Sequence, residues 1–183
     1  MVQKFVLAIL FFATYVVSAQ NGTISPYSFF GIGELLTVRT VDNQAMGGLG
    51  MYTDSIHIHL NNPASLGKLG LTAFSAAFSH REIRLETFSD KQNSSVSNLE
   101  YLSVALPVRS QRAGIGFGLK PFSAMGYSLE AQSTDSQGAE VTTQFTGSGG
   151  LNTVYLSAGF QVIPNLHVGA TVNFIFGNLE KAR

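Results

Sequence analysis

The strongest constraint in this chain is an alternation of period two that returns through its C-terminal part. Leu166, Val168, Ala170, Val172, Phe174 and Phe176 alternate with His167, Gly169, Thr171, Asn173 and Gly177. Val154, Leu156, Ala158, Phe160 and Val162 alternate with Tyr155, Ser157, Gly159 and Gln161. The same rhythm runs through Thr72–Ser79, Tyr101–Val108 and Gly114–Lys120. Successive side chains of an extended strand point to opposite faces, so this period specifies strands rather than helices. Arg109–Arg112 and Ile163–Asn165 read as tight turns, and Asp90–Ser95 and Ser133–Gly138 as longer polar loops. The segment Ala139–Val162 carries a glycine-rich bend at Gly147–Gly150.

Alternation alone also fits a soluble sandwich with one wet face. Three features favour a membrane barrel. The strands reach the roughly 9–11 residues that a tilted membrane strand needs, longer than the usual 5–6. Their polar faces carry Gly, Ser, Thr and Asn rather than Lys and Glu. The connections alternate short and long, as in outer-membrane barrels. The expected fold class is all-β: an antiparallel transmembrane β-barrel, of which about five strands are present, with an irregular N-terminal hatch. Five strands are too few to close a natural membrane barrel, whose smallest form has about eight. Open edges in lipid are also costly. The chain is therefore expected to be the N-terminal part of a longer barrel; assembly of several short chains is the other reading.

Composition agrees. Charged residues make up 12% of the chain, about half the usual share. There are 19 Gly, 14 Phe and no Trp. Zero cysteines exclude a disulfide framework and a thiolate metal site. The 11 basic and 11 acidic residues become 10 and 11 once Lys4 leaves with the leader, so no basic patch for nucleic acid is expected.

That leader is Met1–Ala19. Lys4 precedes the apolar run Phe5–Val17, and Val17-Ser18-Ala19 supplies small residues before Gln20. The run is about 13 residues, short of the roughly 20 of a spanning helix, so it reads as a cleaved signal peptide rather than an anchor. The expected location is the bacterial outer membrane, and the expected domains are residues 1–19 leader, 20–68 hatch and 69–183 first barrel strands.

The hatch has no sustained period. It holds short motifs instead: Ser25-Pro26-Tyr27-Ser28, Gly31-Ile32-Gly33, Met46-Gly47-Gly48-Leu49-Gly50 and Asn61-Asn62-Pro63-Ala64. One helical turn is expected near Pro63–Leu66, with Asn62 as its cap. Taken in order after a leader, these motifs resemble the N-terminal region of FadL/TodX-type outer-membrane transport proteins, closest to divergent members in Bacteroidetes-like bacteria. Gly147–Tyr155 and Val172–Gly177 resemble that group too. The resemblance implies a barrel of about fourteen strands, plugged by the hatch, through which hydrophobic small molecules such as fatty acids or aromatic compounds diffuse. It places Met46, Gly47, Gly48, Asn62, Pro63 and Ala64 along the ligand path. The alternative is a barrel component of a type IX-like protein secretion system. The implied partners are outer-membrane lipid, the hydrophobic ligand and, during insertion, the barrel assembly machinery. No cofactor is expected.

Pro121 follows the alternating glycines within the third strand. Proline cannot donate to a ladder, so a kink or bulge is expected near Lys120–Ser123. In the resembled family a kink there opens the wall laterally, which makes Gly118, Lys120 and Pro121 candidates for a lateral opening. Other motifs carry less. His57-Ile58-His59 puts two imidazoles on one side of an extended segment, but a metal site needs a further ligand. Gly114–Gly118 lies inside a strand and is not a phosphate loop. Glu82 and Glu86 sit among Arg81 and Arg84, as solvated charge pairs do. No Ser-His-Asp set stands out, and the chain is not expected to be an enzyme.

Overall fold

The alternating segments form strands β2 (Ala73–Glu86), β3 (Lys91–Arg109), β4 (Ala113–Thr134), β5 (Glu140–Ile163) and β6 (Leu166–Ala182). The structure is a computed structural model, and it describes residues 22–51, 54–86, 91–134 and 140–183. The leader at 1–19 lies outside the described residues. The five strands pair antiparallel in the order β2-β3-β4-β5-β6, and a two-residue strand, β1 (Glu34–Leu35), pairs with β4 as a sixth. The fold is thus an all-β antiparallel sheet. Among the described residues β2 and β6 each pair on one side. None of the described helices is long and apolar enough to cross a membrane.

The strands outrun the alternating pattern. Lys91–Ser95, expected as loop, pairs with Glu82–Glu86. Ser133 and Thr134, also expected as loop, pair with Val141 and Glu140. Both faces are polar there, so no hydrophobic period marks them, and the main-chain ladder alone continues the hairpins. The glycine-rich bend at Gly147–Gly150 does not interrupt β5, which stays paired with β4 across these four residues. Gly149 takes φ +118°. The first long strand starts at Ala73, with Leu69 instead buried ahead of it. The charges near the β2–β3 tip pair across the hairpin rather than along β2. Lys91 Nζ lies 3.3 Å from Glu86, and Arg84 Nε donates to Asn93 Oδ1 at 3.3 Å.

The two faces of the sheet differ sharply. The outer face presents Phe74, Phe78, Leu102, Leu156, Val172 and Phe174, all exposed. The inner face carries Tyr101, Ser103, Ala105, Tyr155 and Ser157, all buried. What buries them is the N-terminal segment. It comprises a 3-10 turn at Pro26–Phe29, β1, a short helix α1 (Val41–Ala45) and a second 3-10 turn at Pro63–Lys68. The core consists of Val38, Ile58, Leu60, Leu66 and Leu69 from this segment, packed with Ala77, Tyr101, Ala105 and Tyr155 of the sheet.

Candidate functional site: the packed inner face and the β3–β4 fork

Close approach of the N-terminal segment depends on glycines in the wall. A Cβ on Gly159 would stand 2.2 Å from the Pro63 carbonyl oxygen, one on Gly169 2.5 Å from Ala64 N, and one on Gly114 2.5 Å from the Leu66 carbonyl oxygen. The alternating glycines of β4, β5 and β6 are therefore a bare floor on which the second 3-10 turn rests backbone to backbone. Pro63 and Ala64 are held against this floor. The turn forms as expected, but Asn62 does not cap it with its side chain. Its amide donates to the Gly50 carbonyl at 3.1 Å, and the Asn61 amide donates to Val38 O at 3.2 Å. Both asparagines tie loop to loop.

The other motifs act in the same way. Ser28 is fully buried; its hydroxyl donates to Ser25 O at 2.6 Å and accepts from Gly126 N of β4 at 3.1 Å. A Ser28→Ala variant leaves that buried N–H unsatisfied and is expected to lose about 1–3 kcal/mol of stability. A denaturant titration checks this, and an unchanged midpoint would refute the docking role. Gly31 and Gly33 take φ of +58° and +90° on the way into β1. Thr40 caps α1 by accepting from Asn43 N at 3.4 Å. Met46 ends α1, and Gly47 and Gly48, at φ +71° and +81°, turn the chain back, with Gly48 N donating to Asn43 O at 2.6 Å. These two glycines serve a helix end, whose free carbonyls such left-handed residues commonly satisfy.

Asp54 and His57 form a second small cluster. Asp54 Oδ1 accepts from the main-chain N–H of Ile56 at 3.0 Å and of His57 at 2.7 Å, while Oδ2 meets His57 Nδ1. The hydrogen bond that His57 donates to the Asp54 carboxylate raises the His57 pKa above its ordinary value, against an opposing effect of burial. Burial alone would raise the Asp54 carboxyl, but the hydrogen bonds from His57 and Ile56 leave it below its ordinary range. His59 differs: it is buried, neither ring nitrogen has a partner, and burial lowers its pKa. A lowered histidine contributes full stability above the unfolded pKa near 6.5. That stability is lost as pH falls through the folded value. His57 has the opposite sign: its contribution is complete below pH 6.5 and fades as pH rises through its raised value. His59→Phe is expected to flatten the loss of protection at residues 57–69 below pH 6.5. Amide exchange at pH 5 and pH 7 checks it, and an undiminished acid response would count against His59.

Further along the sheet, β3 and β4 pair from Arg109↔Ala113 to Leu102↔Leu119 and then part. Gly118 sits at the branch, where a Cβ would stand 2.1 Å from the Leu102 carbonyl oxygen. Lys120 Nζ lies 5.6 Å above the Tyr155 ring. The β4–β5 register shifts between Pro121 and Ser123, leaving Phe122 over. A matching shift occurs between Ala77 and Phe78, where β3 holds the extra Glu100. Bulges bend the strands that carry them, so the β2–β3 and β4–β5 hairpins diverge at one level. The resulting cleft, about 720 Å³, is entered by β1, which neither periodicity nor motif had revealed. Glu34 pairs with Ala124 and Leu35 with Ser123, and Leu36 N donates to Phe122 O at 2.9 Å.

Among known families, the model described as BamG matches residues 1–183, the full chain. No curated protein and no solved structure matches it. This overturns the resemblance to FadL/TodX-type transporters, and with it both passive uptake of hydrophobic small molecules and the secretion-barrel alternative. The motifs that carried the resemblance are caps, turns and close-contact glycines, which report the shape of a chain packed on a sheet and not its family. The chain belongs to the BamG family, which is related to the barrel assembly machinery and associated with the outer membrane.

Proposed function

We propose that this chain is an outer-membrane β-sheet protein that works in association with the barrel assembly machinery. Its outer face lies against lipid, and its N-terminal segment is packed on the inner face. The match of the BamG family over residues 1–183 carries the reading. The exposed outer row, with Phe74 at 70%, Val172 at 72% and Phe174 at 68% exposure, supports contact with lipid. A continuous apolar patch of this kind marks a buried-in-use surface. Export through the leader Met1–Ala19 belongs to the same reading. The role is associative, with no reaction of its own.

Affinity purification of the tagged full chain from detergent-extracted outer membranes tests the association. Subunits of the barrel assembly machinery are expected in the eluate at comparable molar amounts. Recovery of the chain alone, under conditions that leave the machinery intact, would overturn it.

A further inference from the structure

Beyond the branch at Leu102 and Leu119, β3 continues with β2 as its partner and β4 continues with β5. Among the described residues no strand pairs with the β4-facing side of β3 over residues 93–101. On the facing side of β4, β1 pairs with Ser123 and Ala124, Leu36 bonds Phe122, and the 3-10 turn at Pro26–Phe29 lies against Gly126 and Tyr127. Around it the gap is closed by single contacts. Asn98 Nδ2 donates to the Gly22 carbonyl at 2.8 Å, and Ser28 Oγ accepts from Gly126 N. The Ser123 hydroxyl, in a residue 2% exposed, has no hydrogen-bond partner. The cleft is lined by Arg39, Arg81, Asn98, Glu100 and Asn152. Leu36, Val41, Phe78 and Leu99 line it as well, so main-chain edges, charges of both signs and apolar side chains share one wall. Unpaired strand edges of this kind template the addition of another strand. The seating of β1 shows that this edge accepts one antiparallel. β1 and the Pro26–Phe29 turn cover β4 as far as Tyr127, and beyond it, from Ser128 towards Thr134, no described strand pairs with this edge.

We propose that the β3–β4 fork is a strand-acceptor site, which takes an extended segment of a partner protein antiparallel to β4, beside or in place of β1. This deepens the association with the barrel assembly machinery and rests on it for the identity of the partner. The main chain supplies the pairing. The mixed lining, with Arg39, Arg81 and Glu100 beside Leu36, Val41, Phe78 and Leu99, fits a segment that alternates polar and apolar residues.

The absence of cysteine makes a disulfide test clean. Leu35 and Ser123 are register partners beside the hydrogen-bonded pair Leu36–Phe122, the position where facing side chains come closest. In the full chain, Leu35→Cys with Ser123→Cys locks β1 in place on oxidation. For capture, the full chain carries Ser123→Cys and Leu36→Pro, which removes the N–H that holds β1 to Phe122. The probe is a synthetic peptide of residues 31–38 carrying Leu35→Cys. Capture is expected at least ten-fold above that by a Thr142→Cys control chain. The oxidised lock is expected to lose at least ten-fold of the co-purifying machinery and to regain it on reduction. Capture no better than the control overturns the acceptor site. Capture together with undiminished co-purification by the locked chain overturns the partner strand while the association stands. Loss of the machinery from wild type and reduced variant alike overturns the association, and the acceptor site is then decided by peptide capture.

Discussion

Gly159→Val is expected to destabilise the folded chain by about 3 kcal/mol, at the upper end for overpacking. The Cβ alone would lie 2.2 Å from the Pro63 carbonyl oxygen and 3.1 Å from Gly67 N. Neither is the flexible tip of a side chain. The second 3-10 turn would have to lift off β5, exposing Leu66 and Leu69 of the core. Ala158→Val, one residue away on the exposed outer face, is the control, and surface changes of that kind stay within about 0.5 kcal/mol. Urea titration of both variants in lipid vesicles gives the comparison. Amide exchange should show Gly159→Val losing protection in residues 60–69 first. Equal behaviour of the two would mean that the N-terminal segment does not rest on the glycine floor.

Leu156→Arg is expected to be damaging for a different reason. Leu156 lies on the outer face of β5, 57% exposed, between Phe117 of β4 and Val172 of β6. If that face meets lipid, an arginine well inside the apolar band costs about 2–4 kcal/mol, falling to about 0–1 near the interface. Val162→Arg, on the same face beside the Pro164–Asn165 turn, should therefore be nearly silent. The difference between the two, measured by urea titration in phospholipid vesicles, reads depth in the membrane. In water both residues are surface positions, so a similarly mild effect of both would place this face outside the bilayer.

The strands were legible because from Phe74 to Phe160 one row of side chains meets the N-terminal segment and the other meets the outside, which writes period two into the residues. In β6 the alternation persists as far as Phe174 although both rows are exposed from Val172 on. Where that difference vanishes, so does the signal. Lys91–Ser95 and Ser133–Thr134 are polar on both faces and extend the hairpins by main-chain pairing alone. β1 is too short to carry any period, and α1, at five residues, has only its Thr40 cap and its closing glycines to announce it. Pro121 was informative because it lacks an N–H; the bulge at its partner hairpin, at Ala77–Phe78, has no such marker. The fork needs both bulges at one level, a relation between strands that no single segment contains. The family was obscured because conspicuous motifs such as Asn62-Pro63-Ala64 and Met46-Gly47-Gly48 do local backbone work.

Depletion of this chain in cells, followed by quantification of folded barrel proteins in the outer membrane, bears most directly on the proposed role. A family member acting with the barrel assembly machinery should, on depletion, lower the folded amounts of unrelated outer-membrane barrels together, before growth fails. Unchanged amounts of folded barrels, with only the entry of hydrophobic compounds impaired, would contradict it.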